Sequence, residues 1–144
     1  MKAMLALTAA LAAAPALAQD AAKGEADYKK CRACHMIVAP DGTEIQKGGK
    51  TGPNLYGVLG RAVAGTDFNY GESIKAVGAT GLVWDEALLA AYMQDPTAWL
   101  KEKTGDSAAR SKMSFKLAKG SADMVAYLAS ASPATAAAPA AASE

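Results

Sequence analysis

Cys31-Arg32-Ala33-Cys34-His35 contains both cysteines and the only histidine of the chain. The order C-x-x-C-H is the pattern of covalent c-type haem attachment. Two thiols at this spacing suit thioether bonds to the two vinyl groups of one porphyrin, and the adjoining imidazole reaches the iron from the same side. The cluster therefore nominates haem c as cofactor, bound through Cys31 and Cys34, with His35 as the proximal metal ligand. A structural zinc site needs four ligands, usually a second Cys/His pair, and no further Cys or His exists. A thioredoxin-type redox pair needs a βαβ context, which the pattern lacks. A Cys31–Cys34 disulfide closes only a tiny loop.

Outward from the cluster, both ends of the chain read as lying outside the fold. Lys2 precedes an apolar run from Ala3 to Ala14 that is broken by one threonine. Ala16-Leu17-Ala18 is a small-x-small cleavage signal. Residues 1–18 are expected to be a cleaved signal peptide, with Gln19 as the new terminus, since the run is short for a membrane span. Residues 131–144 are almost all Ala, with Ser, Thr, Pro133 and Pro139, and offer no large side chain to bury. They read as a flexible tail. One domain remains, over residues 19–130, short enough that a haem adds materially to its core.

Removal of Lys2 with the leader leaves 14 basic and 14 acidic residues. The bases are unevenly placed. Lys101, Lys103, Arg110, Lys112, Lys116 and Lys119 face only Glu102 and Asp106 in their stretch, and Lys29, Lys30 and Arg32 crowd the cysteines. A neutral chain with a basic face suggests docking to an acidic protein partner. The basic residues are not interleaved with aromatics, which argues against nucleic acid.

Helix signals dominate the folded part. Asp20 is expected to cap a helix from about Ala21 to Ala33, on which Gly24 and Tyr28 share a face. Gly24 is either a tolerated surface glycine or a site of close helix approach. Met36 to Ala64, rich in Gly, Pro, Asp and Asn, reads as loop. Phe68 to Val77 holds a short helix near Ser73. A clearer helix runs from about Asp85 to Gln94, with Ala87, Leu88, Ala91 and Tyr92 as its apolar face. Asp95 and Pro96 start another, to about Glu102. Lys103 to Lys119 is irregular. Ser121 is expected to cap the last helix, to about Ser130, with Met124, Val125, Tyr127 and Leu128 for packing. Strand signal is scant, so the class is all-α: a few helices and long loops around one covalently bound haem.

The second axial position has to be filled from the methionines or left open. Met36 is tied beside His35. Met93 and Met124 fall in helices and read as core filler. Met113 lies in a loop far along the chain, where a thioether can be carried to the distal side. Met/His ligation belongs to electron-transfer cytochromes and raises the potential. Core filler or an open site are the other readings of Met113. They lead to a peroxide- or gas-reactive haem enzyme or sensor, or to a haem protein without a fast partner.

Further residues add a resemblance. Thr51-Gly52-Pro53-Asn54-Leu55-Tyr56-Gly57, Gly60-Arg61, Phe68-Asn69-Tyr70, Trp84, Tyr92, Asp95-Pro96 and Lys112-Met113-Ser114-Phe115 stand in the order seen in class I cytochromes c. The chain most resembles the periplasmic cytochromes c2 of purple photosynthetic bacteria, over nearly all of 20–130. The resemblance implies the class I cytochrome c fold, a periplasmic monomer without stable membrane insertion, and Met113 as sixth ligand. It implies that the Pro53 carbonyl accepts from His35, that Tyr70 and Trp84 bond the haem propionates with Arg61 as a nearby cation, and that the Tyr92 hydroxyl approaches the ligand sulfur. Gly24 and Tyr28 match a contact of the first helix with the last, near Tyr127. Ile74 replaces a residue that is polar in many relatives, which implies a drier pocket. Residues 37–47 and 103–111 are longer than in mitochondrial forms. The implied role is one-electron transfer from a cytochrome bc1 complex to a photosynthetic reaction centre or a terminal oxidase, not enzymatic turnover. Lys29, Lys30, Lys101, Lys103, Lys112, Lys116 and Lys119 are the candidate docking ring around the haem edge.

Overall fold

The computed structural model describes residues 19–132; the expected signal peptide and most of the expected tail lie outside them. Among the described residues are five α-helices, one turn of 3₁₀ helix and one two-stranded sheet. The all-α reading with long loops holds.

Helix α1 spans Ala21–Asp27, and Asp20 Oδ1 accepts from the backbone N–H groups of Ala22 and Lys23 at 3.0 and 3.1 Å. It does not continue to Ala33 as expected. The winding tightens into a 3₁₀ turn over Tyr28–Lys30, and the Tyr28 carbonyl takes both the Cys31 and Arg32 N–H groups. Such sharing is common at helix ends. The haem motif is therefore a series of turns, with His35 N–H donating to the Cys31 carbonyl at 2.9 Å.

Helix α5, Ser121–Ala131, crosses α1 closely. A Cβ on Gly24 would overlap the Asp123 carbonyl oxygen and sit 2.7 Å from Tyr127 Cβ. Gly24 is thus a site of close approach rather than a surface glycine. Tyr28 and Tyr127 meet edge to face at 5.7 Å, and Asp20 N–H donates to Asp123 Oδ1 at 2.8 Å. Gly24→Val is expected to destabilise the protein by about 3 kcal/mol or more, since two backbones and not a flexible side chain have to move. A chemical-denaturation midpoint equal to wild type would refute this.

Two capping and packing expectations are corrected. Ser121 is not the cap of α5. Gly120 holds that place with φ of 80°, where a side chain is disfavoured. Ser121 is instead buried as the first helical residue, and its Oγ accepts from Gln94 Nε2 at 3.0 Å. Met124, Val125, Tyr127 and Leu128 are buried as expected. Packing continues past Ser130: Ser132 is buried, and its Oγ accepts from Gly57 N–H at 2.8 Å.

Helix α3, Glu86–Gln94, is capped by Asp85, which accepts from Leu88 N–H at 2.7 Å. Its buried residues are Leu89 and Met93, with Leu88, Ala90 and Tyr92 partly covered. Ala87 and Ala91 are exposed, contrary to the expected face. Their small side chains gain little from burial, and the larger Leu89 and Met93 one residue round turn inward. Helix α4, Pro96–Thr104, has Asp95 as cap as expected, but it runs two residues further, to a left-handed Gly105 with φ of 69°. Helix α2, Glu72–Gly78, lies where a short helix was expected.

The loop from Met36 to Ala64 hides an antiparallel pair, β1 (Ile37–Val38) and β2 (Glu44–Gln46), which the sequence reading lacked. Strands this short carry no periodicity to read. They are held by a turn, in which Asp41 Oδ1 accepts from Thr43 N–H, and by Asn54. The Asn54 amide bonds both backbone groups of Val38, at 3.1 and 2.7 Å. Further on, residues 60–63 pair with 82–84, as Gly60 N–H donates to the Trp84 carbonyl and Trp84 N–H to that of Arg61. This places Arg61 and Trp84 side by side.

A haem cavity between the motif and the Met113 loop

The helices and loops enclose a cavity of about 390 Å³, within the usual range of cofactor sites. Its wall is largely apolar, with Leu55, Val58, Ile74, Leu89, Leu100 and Leu128 contributing. Cys31, Cys34 and His35 line it, and the two cysteines are not joined to each other in a disulfide.

His35 is held from behind. Its Nδ1–H donates to the Pro53 carbonyl at 2.8 Å, as the resemblance implied. That bond leaves Nε2 with its lone pair free, the tautomer a metal ligand requires. Burial lowers the His35 pKa, with the Pro53 bond opposing in part, so the neutral imidazole is favoured. Gly52 lies flat against the ring, where a Cβ would fall 2.6 Å from Nδ1 and 2.7 Å from Nε2. The Gly52 N–H in turn donates to the Cys34 carbonyl at 2.8 Å.

Met113 lines the same cavity from the irregular segment that follows α4. Met93 also reaches the wall but is otherwise packed in the core, and Met124 is core. Met36 does not line the cavity. Ser111 Oγ accepts from Met113 N–H at 3.0 Å and lies 3.3 Å from the Tyr92 hydroxyl.

The residues assigned to the propionates stand together. Arg61, Tyr70 and Trp84 all line the cavity. Arg61 Nη1 donates to the Asn54 and Tyr56 carbonyls at 3.0 and 3.3 Å, while its buried Nε has no acceptor. A desolvated guanidinium with an unmatched donor is suited to an anionic group at the cavity wall. Tyr70 bonds Thr66 at 2.7 Å. Trp84 stacks on Trp99 at 5.3 Å, and Tyr92 meets both rings.

Of the seven candidate docking lysines, only Lys30 and Lys112 line the cavity, joined by Arg110. Lys30 pairs with Asp27 at 2.7 Å, and Lys112 donates to the Asn69 carbonyl at 3.0 Å. Lys116 is bound to Asp95 at 2.6 Å, a contact that lowers the Asp95 pKa. Lys103 pairs with Glu102 and lies 5.8 Å from the Trp99 ring centre. Lys29, Lys101 and Lys119 are exposed away from the cavity wall. The sequence reading missed Gly52, Asn54, Trp99 and Ser111 as site-building residues. Only Ser111 carried a local signal, a hydroxyl two residues before Met113, a spacing that favours a side-chain turn.

Two cysteines and an imidazole on one part of the wall, a thioether on the same wall, and a half-buried arginine whose Nε lacks an acceptor fit haem, and define a c-type haem protein. No family model matches the chain. It is 58% identical over 132 residues to the cytochrome c-550 of Paracoccus versutus, across 88% of this chain and 86% of that one. It is 59% identical over 126 residues to the cytochrome c2 of Rhodobacter capsulatus, across 86% and 91%. The crystal structure of the cytochrome c2 from Paracoccus denitrificans superposes with a TM-score of 0.79 at 55% identity, covering 81% of this chain and 98% of that one. The chain belongs to the class I cytochromes c of the c2/c-550 type. It carries one covalent haem c and functions in electron transport.

Proposed function

We propose that the mature protein is a soluble periplasmic one-electron carrier with His35 and Met113 as axial ligands. It takes electrons from a cytochrome bc1 complex and delivers them to a photosynthetic reaction centre or a terminal oxidase. The support is that His35 and Met113 wall one apolar cavity while the other ring nitrogen of His35 is committed to Pro53. It acts as a monomer and not as an enzyme. Residues 1–18 are its export signal, the cytochrome domain runs on to Ser132, two residues further than expected because Ser132 packs on Gly57, and the Ala/Pro-rich remainder is a tail.

Bound haem supplies a one-electron iron couple. Cys31 and Cys34 hold it through thioethers. The Pro53 carbonyl fixes the tautomer and the plane of His35, so Nε2 stays presented in both oxidation states. Met113 offers a soft thioether that favours the reduced centre. Leu55, Val58 and Leu89 keep water from the cavity, and a low-dielectric wall disfavours the more charged state. Arg61, Tyr70 and Trp84 hold the propionates. His35 and Met113 would both hold the iron, so the protein would have little to rearrange on electron transfer. Lys30 and Lys112 at the cavity, with the outlying lysines, steer an acidic partner to this side.

The test is flash-driven oxidation of the reduced protein by reaction centres in a salt series. The rate is expected to fall at least about tenfold between about 0.01 and 0.15 M salt, because steering charges are screened over these lengths. A rate that ignores salt sinks the docking proposal, and the absence of turnover with both reaction centres and oxidase sinks the partner assignment.

A further inference from the structure

We infer that Ser132 is a positioning residue for Arg61, acting from the end of α5 through a single peptide unit. This deepens the reading of Arg61 as a holder of the haem propionates, and rests on it. The Val58 N–H donates to the Leu55 carbonyl at 3.2 Å, so residues 55–58 form a turn. Gly57 stands third in that turn with φ of 67°, whereas Tyr56 keeps a negative φ. The combination is a type II turn. Its central peptide joins Tyr56 to Gly57 and is held at both edges. The Gly57 N–H donates to Ser132 Oγ at 2.8 Å. The Tyr56 carbonyl, on the opposite edge of the trans unit, accepts from Arg61 Nη1 at 3.3 Å.

The peptides on either side are fixed without Ser132. Tyr56 N–H donates to Asn54 Oδ1 at 3.0 Å, and the Asn54 side chain is itself braced on Val38. The next peptide is pinned by the bond from Val58 to Leu55. The Tyr56–Gly57 unit can therefore turn over while its flanks stay in place. Turning it converts type II into type I, the commoner turn, and a glycine in the third place admits both. The flip would carry the Tyr56 carbonyl away from Arg61. Ser132 opposes the flip, because the Gly57 N–H would leave an acceptor that is buried, at a cost. Arg61 Nη1 is shared between this carbonyl and that of Asn54 at 3.0 Å, and the two together set the plane of the guanidinium and the aim of its unmatched Nε. Ser132 thereby steadies a cavity cation from the other end of the domain.

The isosteric pair Ser132→Val and Ser132→Thr separates hydroxyl from bulk in the haem-loaded full chain, and Ser132→Ala is expected to follow Val. In the reduced protein the turn is read by the nuclear Overhauser contact from Tyr56 Hα to the Gly57 N–H, strong in type II and weak in type I. The cation is read by redox titration. Relative to Ser132→Thr, Ser132→Val is expected to weaken the contact at least about twofold and to lower the equilibrium constant for reduction about two- to threefold. A displaced guanidinium offsets less of the propionate charge, which then favours the oxidised state. In an Arg61→Gln background the redox difference between Val and Thr is expected to shrink, since the two side chains act through one peptide. Val and Ala variants that match Thr in both contact and titration overturn the inference, even with losses of thermal stability. A redox difference undiminished in the Arg61→Gln background overturns it as well. Arg61→Gln alone is the control: if it titrates with wild type, the propionate reading fails beneath the inference. If it is harder to reduce while Ser132→Val matches Ser132→Thr, only the role of Ser132 fails.

Discussion

Met113→Ala is expected to lower the midpoint potential by on the order of 0.2 V, a substantial part of the span that axial ligands set in haem proteins. The reason lies in the ligand atom. A thioether is soft and neutral and favours the reduced iron. Without it, the position falls to water or hydroxide, whose harder oxygen favours the oxidised state. The alanine also opens a gap in an otherwise apolar wall, and admitted water lowers the cost of the extra charge. Redox titration followed by visible absorption measures the shift, and carbon monoxide binding to the reduced variant reports the open position. A potential equal to wild type would remove Met113 as ligand and leave Met93, the other thioether on the wall, as the candidate.

Gly52→Ala is expected to be almost as damaging, although it deletes nothing. The new Cβ has to occupy the space of the His35 ring, within 2.7 Å of both its nitrogens. Neither side can yield cheaply. The Gly52 backbone is tied to the Cys34 carbonyl, and the ring is tied to Pro53, the next residue along. Relief requires breaking one of these bonds or turning the imidazole away from the cavity. The expected loss is about 3 kcal/mol or more, or a fall in thermal midpoint of more than ~10 °C for a domain of this size, with a reduced yield of haem-loaded protein. Gly57→Ala is the control: its φ of 67° brings strain, but no atom lies near its Cβ. If Gly52→Ala melts with wild type, the ring does not depend on this glycine.

What was legible in the chain follows from the range of the interactions involved. The haem motif is local chemistry: five residues carry thiols and imidazole at a spacing that serves one purpose. Helix starts at Asp20, Asp85 and Asp95 were legible because a capping carboxylate acts on N–H groups two or three residues away. Ser121 misled by the same rule, because a distant residue, Gln94, had claimed its hydroxyl. The inward face of α3 misled because two apolar stripes lie one residue apart, and only α5 and the cavity decide which is buried. The strands β1 and β2 were invisible because they are too short to show a period, and Asn54, a side chain remote in sequence, braces β1 through both backbone groups of Val38.

The lysines mark the same boundary. Composition groups seven of them as one basic set, but three are held in ion pairs with Asp27, Asp95 or Glu102, and only Lys30 and Lys112 reach the cavity. Charge is a property of a residue, whereas a charged face is a property of a surface, and surfaces exist only after folding. By itself the sequence determined the cofactor, its covalent attachment and the helical class, because these depend on residue types at fixed short spacing. Tertiary structure alone decided that Met113 shares a cavity with His35, that Gly52 and Pro53 hold the imidazole from behind, and that Ser111 joins Tyr92 to the Met113 loop. Each of these brings together groups separated along the chain, and only the packed fold sets the distance between them.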